Sequence, residues 1–379
     1  MNYDLTSEQE MIKRTIREFA EEEVAPGAIE RDRNKQFPLE IFKKLAEMGI
    51  MGLPFSEEYG GAGADTISFA IVTEYLSRAC ASTGITYSAH ISLGGAPLSL
   101  FGTEEQKHKY LTPICTGESF GSFGLTEPNA GSDAGGTRTA AIEENNEFVI
   151  NGNKCFITNA SYAKHLAITA VTNDLGGEKE ISAIIVPTSA KGFTIIDNYE
   201  KMGLNASNTT ELVLEDVRVP TENLLGKRGA GFKQFLVTLD GGRIGIGAMA
   251  VGIAQGAFDK ALAYAKERKQ FGKSITSFQA IQFKLADMAM KIELARNIVY
   301  KAAWLKDQKR PFSKEAAMCK LYASEICMEV TNQAIQIHGG YGYMKEYQVE
   351  RMMRDAKLLE IGEGTSEVQR IVISRIIGC

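Results

Sequence analysis

The sequence predicts an α+β protein built from three successive domains, which cover residues 1–117, 118–228 and 229–379. The first stretch has helical periodicity and Thr-x-x-Gln capping boxes, so we expect an all-α domain. The second holds short β-prone runs between turns, with no helical pattern between them, which favours an antiparallel barrel or sandwich over βαβ units. The third has long segments of helical periodicity and predicts a four-helix bundle.

Helices of the first domain begin at sequence signals for helix capping. Thr6-x-x-Gln9 and Thr103-x-x-Gln106 are capping boxes, in which the Thr side chain accepts a hydrogen bond from the third helical N–H. Residues 81–101 are small and apolar on all sides, which is typical of a helix inside a core. We therefore expect one buried helix surrounded by amphipathic ones.

The middle domain contains a strong local signal for a β-hairpin. Asn151-Gly152 lies between two β-prone runs within residues 148–158, and such a pair is typical of a two-residue turn whose backbone needs positive φ. Further strands are expected at residues 165–172, 181–187, 193–196 and 211–219.

The last domain is predicted to be helical to near its end. Small residues between Gly245 and Ala254 would let neighbouring helices approach the first helix of this domain closely. The four helices are expected at residues 232–268, 277–307, 313–338 and 347–359.

Composition excludes several classes of function. A formal net charge of −5 argues against a partner made of nucleic acid or an anionic membrane surface. The most apolar run, residues 244–258, falls short of the ~20 residues that a spanning helix needs. Residues 1–5 lack the features of a secretory signal, and the six scattered cysteines read as reduced thiols. We therefore expect a cytoplasmic protein.

A carboxylate near the C-terminus stands out as a candidate general base. Glu363 lies between Gly362 and Gly364, and we expect both glycines to give the backbone conformations closed to other residues and to let a ligand approach closely. The turn comes just before a helix that Thr365 is expected to cap, with Gln369 as the amide of a capping box. Such a carboxylate can remove a proton, but an acid on a solvated loop has the same local sequence. The residues alone favour the second reading.

A glycine-bearing loop, residues 123–133, enters the β domain. Its backbone N–H groups and the hydroxyls of Thr126 and Ser132 are suited to a polar heterocycle and a phosphate, and equally to a plain surface loop. No Gly-x-Gly-x-x-Gly or P-loop motif occurs, and the four histidines are dispersed without metal-ligand spacing.

One motif indicates a different class of enzyme. Residues 117–121 fit the Gly-x-Ser-x-Gly of a hydrolase nucleophile elbow, with Ser119 as the nucleophile. That elbow needs a strand before the serine and a helix after it, whereas the sequence here predicts the reverse. An acyl-CoA thioesterase is therefore the remote alternative.

Seven segments, in order from the Phe123 loop to Arg370, together resemble the acyl-CoA dehydrogenases. They include the Glu363-Gly364-Thr365 turn, Phe156-Ile157-Thr158, and the Asp240-x-x-Arg243 motif. The resemblance covers essentially the whole chain and implies that family's three-domain fold. It also implies that Glu363 removes the α-proton of an acyl-CoA thioester while a hydride leaves the β-carbon for FAD, which yields a trans-2-enoyl-CoA.

The resemblance implies a set of ligand contacts and partners. Arg268 and Gln279 would reach the FAD of a neighbouring subunit, so we expect a homo-oligomer, in this family usually a tetramer, with an electron-transfer flavoprotein as acceptor. Substrate contacts fall on Ser132, Asp240, Arg243 and Gly364. FAD contacts fall on Phe123, Leu125, Thr126, Ser132, Phe156, Ile157, Thr158, Arg268, Phe271, Gln279, Gln336, Gly339, Gly340, Thr365 and Glu367.

Two glycines bear on the choice of substrate. Isovaleryl- and long-chain-specific relatives place their base at the position of Gly242, so the resemblance leaves Glu363 as the candidate base, the short- and medium-chain arrangement. Gly362 stands where many of those relatives carry Tyr beside the base. We expect a short acyl group of C4–C6, with medium-chain or branched acyl groups as the alternative and a non-enzymatic CoA- or flavin-binding relative as a further one.

Overall fold

The computed structural model describes residues 4–174 and 179–379. Its amino-terminal region is helical, and both predicted capping boxes form, at Thr6 with Gln9 and at Thr103 with Gln106. The helices of this region are α1 Ser7–Phe19, α2 Ala28–Asn34, α3 Leu39–Glu47, α4 Thr66–Ala79, α5 Ala81–Ala89, α6 Ala96–Phe101, α7 Glu104–Gln106 and α8 Thr112–Cys115.

The buried helix expected at residues 81–101 is present, with one irregularity. A π-helical segment, His90–Gly95, joins α5 to α6. His90 is fully buried in this segment, where Nε2 lies 2.9 Å from the carbonyl of Met51 and Nδ1 accepts a hydrogen bond of 2.9 Å from the N–H of Gly121. This segment therefore connects the helical region to the start of the β region.

The middle region is a single sheet of eight strands in the order β6-β7-β3-β2-β4-β5-β8, with β1 also paired to β4. Most pairs are antiparallel, as predicted, but β1 and β2 both run parallel to β4. The strands are β1 Phe123–Gly124, β2 Ala140–Glu144, β3 Glu147–Thr158, β4 His165–Asp174, β5 Lys179–Pro187, β6 Phe193–Ile196, β7 Thr209–Pro220 and β8 Leu224–Leu225.

The predicted hairpin at Asn151-Gly152 is wrong. These residues lie inside β3, where the pairing with β7 is irregular between Ile150 and Gly152. The turn lies instead between β2 and β3, at Asn145 and Asn146, whose φ angles of 52° and 64° are both positive. Asn tolerates this backbone well, so Asn-Asn forms the turn, and the Gly accommodates a bulge within the strand.

The carboxy-terminal region is the predicted helical bundle. Its central helix is rich in Gly and Ala and packs against α4 of the first region as well as its own neighbours. The helices are α9 Gly231–Glu267, α10 Gln279–Asp307, α11 Ser313–His338, α12 Val349–Lys357 and α13 Ser366–Ile377; a short ribbon, β9 Lys269–Gln270 and β10 Lys273–Ser274, follows α9.

Among the described residues, one helix has the length and apolar composition to cross a membrane. This is α9, and 72% of its most apolar window is buried inside the protein. Burial on that scale is what the core helix of a bundle shows, and the turn between α12 and α13 packs beside this helix and α11.

Candidate active site

The turn between α12 and α13 has an unusual backbone. Glu363 has a φ of 54° and Gly364 a φ of 92°, so two successive residues lie in the left-handed region. The Thr365 side chain then accepts a hydrogen bond of 3.3 Å from the N–H of Val368 and caps α13, as predicted. Gly362 does not need its glycine for backbone reasons, contrary to the expectation, because its φ is ordinary and a Cβ there would come no closer than 3.5 Å to its neighbours.

The carboxylate of Glu363 is enclosed and unpaired. Both of its oxygens are buried, and neither has a hydrogen-bond partner among the described residues. Burial raises the pKa of the Glu363 carboxyl to about 7, and the positive charges of Lys320 and Arg243 act in the opposite direction. A carboxyl with a pKa near neutrality, free of other hydrogen bonds, is suited to accept a proton from a bound molecule.

Two buried side chains hold the carbonyl groups of this turn. Lys320 Nζ donates to the carbonyl of Gly364 at 2.7 Å. Gln369 Nε2 donates to the same carbonyl at 2.9 Å and to the carbonyl of Glu363 at 3.2 Å. The Gln369 amide therefore does not complete a capping box, because it turns towards these two carbonyls instead.

The sequence analysis gave Lys320 no role. One signal for it exists in the sequence: Lys320 shares the buried face of α11 with Ala316, Ala323 and Cys327, at helical spacing. A lysine on an apolar helix face needs a polar partner inside the protein.

The predicted Asp240–Arg243 pair is formed on α9. Arg243 Nη1 bonds to Asp240 Oδ1, and the other Asp240 oxygen accepts a hydrogen bond of 2.5 Å from Ser313 Oγ. Arg243 is buried, its Nε has no partner among the described residues, and its charge acts on the Glu363 carboxyl. The structure therefore places Arg243 and Glu363 in one site, and contact of Arg243 with the substrate stays a prediction.

The loop at residues 123–133 and strand β3 form a second cluster. The N–H of Cys155 donates to the carbonyl of Thr126 at 2.9 Å and joins the two segments. The hydroxyls of Thr126 and Thr158 have no hydrogen-bond partner among the described residues. Phe156 has a φ of 58° and is 65% exposed, with its ring centroid 5.2 Å from that of Tyr199. Free hydroxyls beside an exposed aromatic ring are suited to a planar polar heterocycle, so these residues fit a flavin.

A buried ion pair stabilises the loop of residues 123–133. Lys154 Nζ donates to Glu127 Oε1 at 2.8 Å and to the carbonyl of Leu125 at 3.1 Å. Burial opposes ionisation of Glu127, but Lys154 and the hydroxyl of Thr137 outweigh it and hold the pKa of that carboxyl at about 2. The pair stays charged at neutral pH and holds Leu125 and Thr126 in place.

Four further residues predicted to contact FAD differ in their packing and exposure. The ring of Phe123 stacks on Phe235 of α9 at 4.0 Å. Ile157 is buried among the strands, so its side chain faces away from the cluster's exposed surface. Ser132 and Glu367 are exposed.

The remaining predicted FAD residues gather at one end of the bundle. The Arg268 guanidinium lies 5.5 Å from the ring centroid of Tyr341, which follows Gly339 and Gly340. Phe271 is 92% exposed, and Gln279 and Gln336 are exposed as well. Within the described residues, no hydrogen bond joins this group to the Thr126 and Thr158 cluster, and contact with a neighbouring subunit stays a prediction.

Ser119 does not have the environment of a nucleophile. It is fully buried, accepts a hydrogen bond of 2.9 Å from the N–H of Lys164 and lies 3.3 Å from the carbonyl of Phe120. A helix, α8, precedes it, and β1 follows. The Gly-x-Ser-x-Gly match is therefore a structural segment, as its reversed context indicates.

Three family domains match the chain in order. The N-terminal domain of acyl-CoA dehydrogenase matches residues 6–118, the middle domain matches residues 122–217, and the C-terminal domain matches residues 229–378. The chain therefore belongs to the acyl-CoA dehydrogenase family, and it is a flavin-dependent oxidoreductase. The family uses FAD.

Individual relatives and structures match over nearly the whole chain. The probable acyl-CoA dehydrogenase YngJ of Bacillus subtilis is 63% identical over 99% of both chains, and the short-chain-specific acyl-CoA dehydrogenase of Clostridium acetobutylicum is 54% identical over 99% of both. Butyryl-CoA dehydrogenase from Megasphaera elsdenii superposes with a TM-score of 0.97, at 46% identity over 100% of both chains. A chain in the structure of the electron transferring flavoprotein of Acidaminococcus fermentans superposes with a TM-score of 0.98, at 49% identity over 100% of both chains.

Proposed function

We propose that this acyl-CoA dehydrogenase oxidises short-chain acyl-CoA thioesters of C4–C6 to trans-2-enoyl-CoA, with Glu363 as the general base. The observation that carries the proposal is the buried Glu363 carboxylate, which has no partner among the described residues and a pKa raised to about 7. The α-proton of a thioester is weakly acidic, so its removal needs a base whose strength is matched to the working pH.

The backbone at Glu363 is suited to the charge that develops when the proton leaves. Among the described residues, the N–H of Glu363 has no hydrogen-bond acceptor, so it is free to donate to the thioester oxygen. A fixed donor in a dry site stabilises an enolate more strongly than water does. When bound, FAD supplies the acceptor for the hydride that leaves the β-carbon.

The cofactor would be held by the loop and strand that meet at Thr126 and Cys155. Thr126 and Thr158 have free hydroxyls to offer the flavin ring, and Phe156 has an exposed aromatic face. We further propose that Arg268 reaches the FAD of a second subunit in a homotetramer, because its end of the bundle is exposed in the single chain.

An electron-transfer flavoprotein is the proposed electron acceptor. The similarity to a chain in the structure of the Acidaminococcus fermentans flavoprotein supports this partner. A cytoplasmic setting is proposed with it.

Three observations support a short acyl chain. A butyryl-CoA dehydrogenase and a short-chain-specific relative match the whole length of the chain. Gly242 lacks the side chain on which long-chain members carry their base. Each methylene of the acyl chain that is buried in the pocket contributes ~0.8 kcal/mol to the binding free energy until the chain reaches the end of the pocket. Beyond that length the gain ends or reverses, so a short pocket selects a short acyl group.

A panel of acyl-CoA substrates with a dye acceptor tests the proposal. The purified protein should be yellow, and kcat/KM should peak at a C4–C6 straight chain, fall steeply towards C12, and be lower for isobutyryl- and isovaleryl-CoA. A peak at C12 or beyond, or a clear preference for a branched substrate, would overturn the short-chain assignment and favour the alternative.

A further inference from the structure

Lys320 is a buried lysine beside the proposed base. Lys320 is 0% exposed in the first half of α11, and its one hydrogen-bond partner among the described residues is the carbonyl of Gly364. Burial of an ammonium group costs free energy unless a polar partner compensates it. Apolar packing in α11 therefore does not by itself explain a lysine at this position. Its ammonium contacts the turn that carries Glu363, through the carbonyl of Gly364.

The backbone of that turn needs external support. Glu363 is not a glycine, and a left-handed φ is unfavourable for a residue with a side chain. The carbonyl of Gly364 accepts hydrogen bonds from both Lys320 and Gln369, and Gln369 also binds the carbonyl of Glu363. These three hydrogen bonds fix the two peptide groups that follow Glu363, and so the direction in which its side chain leaves the backbone.

Two positive charges act on the Glu363 carboxyl. Arg243 lies on α9 and Lys320 on α11, and both favour the ionised carboxylate. Glu360, before the turn, and Glu367, in the first turn of α13, act on Lys320. Burial lowers the pKa of the Lys320 ammonium to about 8, so Lys320 is still mostly charged at neutral pH.

We propose that Lys320 is a positioning residue for the dehydrogenation: its ammonium holds the Glu363–Gly364 turn through the carbonyl of Gly364 and places a positive charge beside the Glu363 carboxylate. The proposal rests on Glu363 being the general base. Gln369 shares the positioning role through its two hydrogen bonds but contributes no charge.

The pH profile of kcat/KM separates charge from simple support. In Lys320→Met the charge and the hydrogen bond are both lost, so the pH at half-maximal kcat/KM should rise by about one unit, since a neighbouring charge shifts a carboxyl by about one unit or more. Lys320→Gln keeps a donor without the charge and should show the same shift with a smaller loss of kcat. Gln369→Leu should lower kcat about tenfold and leave the midpoint pH unchanged.

Lys201 provides a matched control. It is a half-buried lysine whose pKa burial likewise lowers to about 8, but it donates to the carbonyl of Ser207 and the hydroxyl of Thr209 in the middle region. Lys201→Met should destabilise the fold and leave the midpoint pH at its wild-type value.

The outcomes are distinguishable. An unchanged midpoint in folded Lys320→Gln overturns the role of the charge, and an unchanged kcat in Gln369→Leu overturns the clamp. If Lys320→Met does not fold, Lys320→Gln and Gln369→Leu decide. Glu363→Gln is measured alongside. An active Glu363→Gln overturns the proposed base itself, whereas an inactive Glu363→Gln with an unshifted midpoint in Lys320→Gln overturns only the role of the Lys320 charge.

Discussion

A Cβ built on Gly242 of α9 would lie 2.0 Å from Oε2 of Glu363. The carboxylate therefore occupies the space that any side chain at residue 242 would need. The next two atoms are Cδ of the same Glu363, at 3.0 Å from this Cβ, and Cδ2 of Leu93, at 3.2 Å. Residues 242 and 363, which are far apart in the sequence, thus compete for one place in the site, and only one of them can bring a carboxylate there.

Replacement of Gly242 by Ala should displace Glu363 and reduce activity. A 2.0 Å contact is shorter than real Cβ contacts, so the carboxylate has to move, and small misplacements of a catalytic group lower rates by about 10²-fold. Gly241→Ala is the matched control, because a Cβ at Gly241 meets only the end of Lys306 at 3.3 Å. Steady-state kinetics at equal FAD content checks both; wild-type activity in Gly242→Ala would contradict the geometry.

Glu363→Gln should retain FAD and lose turnover, because an amide cannot accept the α-proton. Loss of a general base lowers rates by ~10²–10⁴-fold, and we expect at least the upper end of that range. Glu360→Gln changes a carboxylate three residues earlier that pairs with Lys357, and it should stay within a few-fold of wild type. Turnover of Glu363→Gln within tenfold of wild type would exclude it as the base.

Because residues 242 and 363 occupy the same space, the base could be moved from one position to the other. In a Glu363→Gly background the space above Gly242 is empty, so Gly242→Glu should restore a small part of the activity. Single-turnover bleaching of the flavin measures such low rates. No recovery above the Glu363→Gly parent would show that a carboxylate on α9 does not reach the α-carbon in this chain.

Much of the fold and part of the site could be predicted from the sequence. Thr6, Thr103 and Thr365 cap helices as predicted, because capping depends on residues only three positions apart. The hairpin at Asn151-Gly152 could not be placed correctly, because a bulge and a turn both use positive φ and the pairing of distant strands decides between them. The contact of Lys320 with Gly364 depends likewise on how α11 packs against the turn.

The pH dependence of catalysis should follow Glu363. Burial raises the pKa of its carboxyl to about 7, and only the ionised form is a base. We therefore expect kcat/KM to rise with pH through about 7 and then level off, since kcat/KM reports groups in the free enzyme. A profile that rises instead near the ordinary carboxyl value of about 4.3 would show that Glu363 is solvated in the working enzyme.

The same carboxyl should affect stability in the opposite direction. Because the folded-state pKa of Glu363 is raised, its contribution to stability is greatest below the ordinary pKa and is lost as the pH rises through about 7. Relative to wild type, Glu363→Gln should therefore become more stable as the pH rises, by up to about 3 kcal/mol at ~1.4 kcal/mol per pKa unit. Denaturant unfolding of both proteins at acid and neutral pH, without acyl-CoA, measures this difference.

Arg268→Ala should weaken FAD binding and oligomerisation together, if the guanidinium meets the pyrophosphate across a subunit boundary. A charge-assisted contact of this kind contributes about 1.5–3 kcal/mol, which corresponds to a 10- to 100-fold higher dissociation constant. Lys266→Ala removes a nearby exposed charge at the end of the same helix and should change neither property. Flavin fluorescence and sedimentation measure the two effects, and an unchanged FAD dissociation constant would contradict the inter-subunit site.

Gly362→Tyr should narrow the range of acyl groups. A Cβ at residue 362 has room, since its nearest neighbour is the carbonyl of Leu358 at 3.5 Å, and φ there is ordinary. The turn can therefore accept a side chain without strain, and the added ring would occupy space beside Glu363. We expect the ratio of kcat/KM for hexanoyl-CoA to that for butyryl-CoA to fall about tenfold, because overpacking of a pocket typically costs ~1–3 kcal/mol. Gly362→Ala adds only a methyl group and should leave the ratio nearly unchanged; an unchanged ratio in Gly362→Tyr would show that residue 362 lies outside the acyl pocket.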